Sequence, residues 1–240
     1  ASLNQGCILS GSAFRRYRHL DFEQLEIMIA KDAFSEPLIV SDTVFSMDGD
    51  TADLGKIHSI AEKNRCILYL DDAHGTGVFG ERGKGLTSPG LCDISLSTFS
   101  KAMGCYGACI ACAAEFREFF INTCSPFIFS TALPPAVLGA ISAAIKLIQT
   151  EEMEKARARL LGRSEFVRKS LSEMGFDTGA SSTMIIPIII GDAHETLAFS
   201  AKLYEKGILA LAVRPPTVPM GTSRIRLSLN AAHTDADIEQ

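Results

Sequence analysis

Two apolar runs that stop abruptly at reactive side chains constrain this chain more than anything else in it. Cys66-Ile67-Leu68-Tyr69-Leu70 reads as a buried strand and ends in Asp71-Asp72-Ala73-His74-Gly75. Asp93-Ile94-Ser95-Leu96-Ser97-Thr98 alternates as a strand does and ends in Phe99-Ser100-Lys101. Ligands of an α/β sheet gather at the carboxyl ends of its parallel strands, so an acid, an imidazole and a lone lysine should reach one rim.

The rest of the chain supplies such a sheet. Asp21 suits the N-cap of a helix with Phe22, Leu25 and Ile29 on one stripe. Leu38-Ile39-Val40 is a short strand, Asp48-Gly49-Asp50 a tight turn, and a helix from about Thr51 turns Leu54, Ile57 and Ala61 inward. Strand, helix and strand in this order predict a mainly parallel α/β sheet with right-handed crossovers. A strand over 108–113 and a helix over about 115–122 follow. Pro134-Pro135 then opens a long apolar helix ending near Gln149.

From Glu151 the texture changes. A charged helix to about Met174 carries Met153, Leu160, Val167 and Leu171 inward. Strands over 184–190, 208–213 and 224–229 and a helix over 193–206 complete a smaller α/β unit. The expected division is a large domain over 1–150, incomplete, and a small domain over 151–240. The chain opens on Ala1 in mid-motif and stops inside a helix begun by Asp235, as a piece of a longer protein would.

A net charge of −5 with no basic run gives no footprint for nucleic acid. The most apolar run, Met184 to Ile190, is short and contains Pro187, so no membrane span is expected. Nothing at the start reads as a signal peptide, which makes a cytoplasmic location the expectation. Seven scattered cysteines point to reduced, structural thiols. Cys109 and Cys112 have CxxC spacing, but on a strand that odd offset sends them to opposite faces, so no metal is expected.

Gly75, Gly77 and Gly80 satisfy GxGxxG, which raises a nucleotide-binding oxidoreductase as an alternative. Two acids and a histidine separate them from the strand, and Glu81–Gly85 is a poor helix start, so Gly80 to Gly85 reads as a mobile surface loop. Ser130 and Thr131 offer hydroxyls beside the helix opened by the double proline, either to a phosphate or as plain caps.

The acid, imidazole and lysine together suit a pyridoxal phosphate site. Lys101, following a buried-type strand, would be desolvated and so kept neutral for imine exchange. Asp71 is the better partner for a pyridinium nitrogen, with Asp72 able to cap the turn, and His74 can reach the ring's phenolic oxygen. Arg224 and Arg226 alternate onto one polar face, and a guanidinium there suits a carboxylate substrate.

Four segments, Phe45–Asp50, Asp71–Gly77, Thr98–Lys101 and Ser130–Pro135, resemble the α-oxoamine synthases. These are pyridoxal phosphate enzymes of the aspartate-aminotransferase fold (fold type I). The stretch from Val213 through Arg226 is most similar to the biotin-pathway branch, which joins L-alanine to a pimeloyl thioester carried by CoA or a carrier protein. The resemblance implies Lys101 as the Schiff-base lysine, Asp71 as ring-nitrogen partner and His74 on the phenolic oxygen. It implies cofactor contacts from Ser46 and Thr98, the amino-acid carboxylate on Arg226, and Thr217 near the substrate. Ser130 and Thr131 would reach the phosphate of the neighbouring subunit's cofactor, which implies a homodimer with shared sites. The product would be 8-amino-7-oxononanoate with CO2 and free thiol. A glycine-using relative of the 2-amino-3-ketobutyrate CoA ligase type is the rival within the family. At Asp42 the family often has glutamate, and its ring-stacking histidine and glycine-rich phosphate turn would lie before Ala1.

Overall fold

A buried-strand pattern needs helices to cover it, and a computed structural model describing residues 2–32 and 36–240 supplies them on one side. The chain falls into two units, the first formed by Ala1–Thr43, Ala52–Thr76 and Gly85–Ile141, the second by Val44–Thr51, Gly77–Lys84 and Ser142–Gln240.

The first unit opens with α1 (Ser2–Leu9) and α2 (Phe22–Asp32). Asp21 caps α2 through the Gln24 amide at 2.9 Å, as its position predicts. Then come β1 (Leu38–Asp42), α3 (Leu54–Asn64), β2 (Ile67–Asp71), β3 (Ile94–Thr98) and β4 (Ala108–Cys112). The strands lie in the order β1-β2-β3-β4. The first two pairings are parallel and β3–β4 is antiparallel. Ile39, Leu68 and Leu70 point to one face, where Leu25 of α2 and Ile57, Ile60 and Ala61 of α3 close a buried core. α3 starts at Leu54 rather than near Thr51, because Asp53 is the residue that caps it, taking the Lys56 amide at 2.9 Å. Beyond β4 lie α4 (Ala114–Thr123), α5 (Ser125–Ile128) and α6 (Pro135–Ile148).

The glycines after β2 are followed by a 3-10 turn at Glu81–Gly83, and no α-helix stands between β2 and β3 among the described residues. A dinucleotide fingerprint needs a helix there, so GxGxxG is not one. Nor is Gly80 to Gly85 simply a surface loop: Gly83 and Gly85 are both buried. All seven cysteines are free thiols.

The second unit holds α7 (Glu151–Glu173), β5 (Ile185–Gly191), α8 (Ala193–Glu205), β6 (Leu211–Val213), β7 (Ser223–Ser228) and α9 (Asp235–Glu239). Its sheet has the order β5-β7-β6, antiparallel throughout. Ile188 and Ile225 pack with Phe199 and Leu203 of α8 and Leu171 of α7. β6 is shorter than the apolar run over 208–213, because Ile208 packs into this core ahead of the ladder. α7 buries Leu160, and with it Arg157, whose guanidinium donates to the Ile148 carbonyl at 2.7 Å. Among the described residues no helix is long and apolar enough to cross a membrane.

The turn at Asp48-Gly49-Asp50 is a fixed point of this second unit. Gly49 takes φ +70°, its amide donates to Phe45, and its carbonyl accepts from Ser182, Thr183 and the Thr183 hydroxyl. A Cβ on Gly49 would lie 1.9 Å from the Ile185 carbonyl oxygen. A left-handed backbone alone costs a non-glycine residue about 1–2 kcal/mol. Gly90, at φ +84° with open space around its Cβ direction, isolates that cost. Denaturant midpoints should fall modestly for Gly90→Ala and far more for Gly49→Ala, where a carbonyl must move as well.

Candidate functional site

Strand alternation sorts the side chains at the carboxyl ends of β1, β2 and β3 onto two faces. Asp42 pairs in register with Asp71, and Asp71 with Leu96, so Asp42, Asp71 and Thr98 share one face. Thr43, Asp72 and Ser97 share the other. The second face is the structural one. Asp72 is fully buried and accepts from the Thr43 hydroxyl, from Thr76 Oγ1 at 3.1 Å and from the Leu86 amide at 3.0 Å. Thr76 Oγ1 also bonds Ser97 at 2.8 Å. Cβ atoms on Gly75 and Gly85 would lie 2.1 Å and 1.8 Å from the Asp72 carboxylate, so both glycines make room for it. Burial raises the Asp72 pKa against the pull of these donors.

The first face is left open to chemistry. Asp71 is buried, and its Oδ1 takes the Ala73 amide at 3.0 Å; its Oδ2 has no hydrogen-bond partner among the described residues. The two acids thus differ: among the described residues both Asp72 oxygens hold hydrogen bonds, and one Asp71 oxygen holds none. Thr98 Oγ1, on the same face, is buried with no hydrogen-bond partner among the described residues. His74 stands half-buried on the turn that Asp72 closes through the Gly75 and Thr76 amides.

Lys101 lies in the turn linking β3 to β4, with its carbonyl accepting from Gly104 at 3.1 Å. The expectation of a desolvated Lys101 is not met: the residue is exposed, because this turn runs out past the end of the sheet. Ser130 and Thr131 are exposed too. They stand at least four residues ahead of α6, too far to cap it, so the plain capping reading fails.

In the second unit the two arginines of β7 part company. Arg224 is buried and spent on Asp48 at 2.6 Å and the Met47 carbonyl at 3.2 Å. Arg226 is half-buried, and its Nε donates to the Ser46 carbonyl at 2.6 Å. No carboxylate among the described residues pairs with it, and burial lowers its pKa. The geometry thus brings Ser46 to Arg226 through its backbone. Thr217 is exposed on the turn after the Pro215-Pro216 cis peptide, its amide donating to Arg214 at 3.0 Å.

Sequence reasoning passed over Asp42 as a site residue. The available signal was its place at the end of β1, matching Asp71 at the end of β2. It is half-buried, and its carboxylate takes no hydrogen bond among the described residues. Desolvation first, then the neighbouring Asp71 carboxylate, push its pKa up to about 6, against the weaker pull of the chain's amino terminus, Lys101 and His19.

A family model described as aminotransferase class I and II matches residues 1–240. A curated relative from Bordetella bronchiseptica, named "Putative 8-amino-7-oxononanoate synthase", is 48% identical over 244 residues, covering 100% of this chain and 61% of its own length. A relative of the same name from Paramagnetospirillum magneticum is 47% identical with the same coverage. The chain therefore spans about three fifths (61%) of the length of these curated relatives. Among solved structures, a serine palmitoyltransferase from S. paucimobilis with a bound PLP–myriocin aldimine superposes with TM-score 0.92 at 29% identity, over 100% of this chain and 61% of that one. An 8-amino-7-oxononanoate synthase from Francisella tularensis superposes with TM-score 0.87 at 28% identity, over 100% and 70%.

The Asp42 carboxyl has a definite sign in pH-dependent stability. Its folded pKa, about 6, lies above the ordinary 3.8, so its stabilising contribution is full below the ordinary value and lost as pH rises through about 6. Asp42→Asn should therefore raise stability at neutral pH by on the order of 2 kcal/mol, a gain that vanishes toward pH 4. Urea unfolding of both proteins across that range measures it.

Proposed function

The chain belongs to the aminotransferase class I and II family, and from that premise we propose that it forms a pyridoxal 5'-phosphate site of an α-oxoamine synthase making 8-amino-7-oxononanoate. In that reaction the Cα hydrogen of L-alanine is replaced by the pimeloyl group of a thioester, the thiol carrier leaves with a proton, the alanine carboxylate leaves as CO2, and a proton taken from solvent replaces it on Cα. The observation carrying this reading is the one sheet face that presents Asp71 Oδ2 and Thr98 Oγ1, neither hydrogen-bonded among the described residues, beside the turn bearing Lys101.

These residues fit the group. A carboxylate with one oxygen in reserve suits a protonated pyridine nitrogen, and an orphaned buried hydroxyl suits a polar ring or phosphate atom. His74 would hold the phenolic oxygen, with Ser46 a further contact. When bound, the cofactor supplies an electron sink for charge developing at Cα. Lys101 attaches it and, once released, moves the Cα proton of alanine on its Nζ. Arg226, lacking a carboxylate of its own, takes that of alanine; a guanidinium does this with two parallel hydrogen bonds. Thr217 lies near the acyl substrate.

Ser130 and Thr131 would serve the phosphate of a neighbouring subunit's cofactor in a homodimer. Their exposure and distance from the start of α6 support that role. Exposed Phe119, Phe127 and Phe129 nearby supply apolar area for such an interface. The relatives' names support alanine and a pimeloyl thioester over the glycine-using alternative.

In the full-length protein with pyridoxal phosphate, Lys101→Ala should abolish the visible absorbance of the lysine-bound ring. Steady-state assays should favour alanine with pimeloyl thioester over glycine with acetyl-CoA; the reverse preference would overturn the substrate assignment. Arg226→Lys should raise KM for the amino acid about tenfold or more, equivalent to at least about 1.4 kcal/mol, with a smaller effect on kcat.

A further inference from the structure

The sheet of the first unit is dry on one side only. Strand register places Leu38, Val40, Ile67, Tyr69, Leu96 and Ile110 on the face that ends in Asp42, Asp71 and Thr98. Leu38 is 53% exposed and Ile110 47%, and the four between them are half-buried. On the opposite face Ile39, Leu68 and Leu70 are at most 4% exposed, packed with α2 and α3. The same strands therefore carry apolar side chains to both faces, and only one set is withdrawn from water.

Strands that are apolar on both faces belong to parallel sheets with helices on each side. Here β1, β2 and β3 run parallel, and the second layer of helix is missing from the described residues. A helix that covers a sheet buries a stripe of its own side chains, and α1, α4 and α5 bury none. α6 buries Ile141 alone, and that side chain sits ahead of β4, where its Cδ1 would be 3.7 Å from a Cβ on Gly107. Four strands make a strip about 14 Å wide, and a helix with its side chains is about 10 Å across, so one or two helices would fill it.

Polypeptide for such helices exists in the proteins this chain matches. The curated relatives and the superposed serine palmitoyltransferase each keep about two fifths of their length outside the match. We propose that the open face is the seat of one or two amphipathic helices from the part of the full-length protein that lies outside residues 1–240, their apolar stripes packed on Val40, Tyr69 and Leu96. A second copy of the chain is the poorer fit. Two such faces pressed together would make a sheet-on-sheet contact, the arrangement of antiparallel sandwiches, whereas parallel strands take helices. The assignment requires no ligand at the rim, so it stands apart from the cofactor reading.

The test uses the full-length protein with the photo-cross-linking residue p-benzoylphenylalanine in place of Ile110, and separately in place of Leu38, in a mixture of isotopically light and heavy copies. Irradiation followed by peptide mapping should join either position to a residue outside 1–240 of the same copy. Links between light and heavy copies would make the face an interface between subunits and overturn the proposal; so would links that stay within residues 1–240, or no link from either position. Oxidative footprinting of the unsubstituted full-length protein covers the case of a substituted protein that fails to fold. Leu38 should be oxidised at least about tenfold more slowly than Leu209, which is 78% exposed. Equal rates at the two leucines would leave the face open to water and overturn the proposal as well.

Discussion

Everything at the rim depends on how the Asp72 carboxylate is housed. A carboxylate wholly withdrawn from water is stable only with its lone pairs answered, and an unanswered one costs several kcal/mol. Here the answers come from three separate places: Thr43 past the end of β1, Thr76 on the turn, and the Leu86 amide beyond the glycines. One side chain thus ties together the first strand, the second strand and the loop leading to the third. Gly75 and Gly85 follow from it, because any larger residue at either position would occupy the space of that carboxylate. The run of glycines is therefore neither a nucleotide cradle nor a slack connection. It is the wall of a buried ion.

Fixing Asp72 also fixes what its neighbour can do. Successive residues of a strand point to opposite faces, so anchoring Asp72 on one face delivers Asp71 to the other. Adjacent acids of the same type end with different duties, one spent on the fold and one with an oxygen in reserve. The arginines of β7 reach a similar division by another route. Arg224 and Arg226 share a face, and depth and neighbours separate them: Arg224 is buried against Asp48, while Arg226 donates to the Ser46 carbonyl and pairs with no carboxylate among the described residues. In both pairs the member spent on structure is the more buried one, and the member left over is the candidate for a ligand.

How much of this could be read from sequence follows from which interactions are local. The strands 67–71 and 94–98 and the capping of α2 by Asp21 are written in apolar runs and single residues a few positions apart. The start of α3 was misplaced because two acids and a threonine compete to open it, and only Asp53 has the geometry to take the Lys56 amide. Strand register is invisible in one sequence, and with it the alignment of Asp42 beside Asp71. An acid closing a strand reads the same whether it ends up beside another acid or in a turn. The exposure of Lys101 was missed for a related reason: a strand predicts where it delivers a side chain, not what covers the delivery point.

The charge balance of this rim bears on where each end of a bound pyridoxal phosphate can sit under the proposed reading. Asp42 and Asp71 together make the face negative once both are ionised, with Lys101 and His19 among the cations that oppose that charge. A cationic ring nitrogen is welcome there, and a phosphate dianion is repelled at close range. The phosphate must then be held away from the two acids by donors that bring no negative charge. Neutral hydroxyls such as those of Thr98, Ser130 and Thr131 meet that condition, which gives the proposed sharing of hydroxyls between subunits a physical rationale. Under that reading, acids at the tips of β1 and β2 would orient the cofactor before any contact to its substituents is counted.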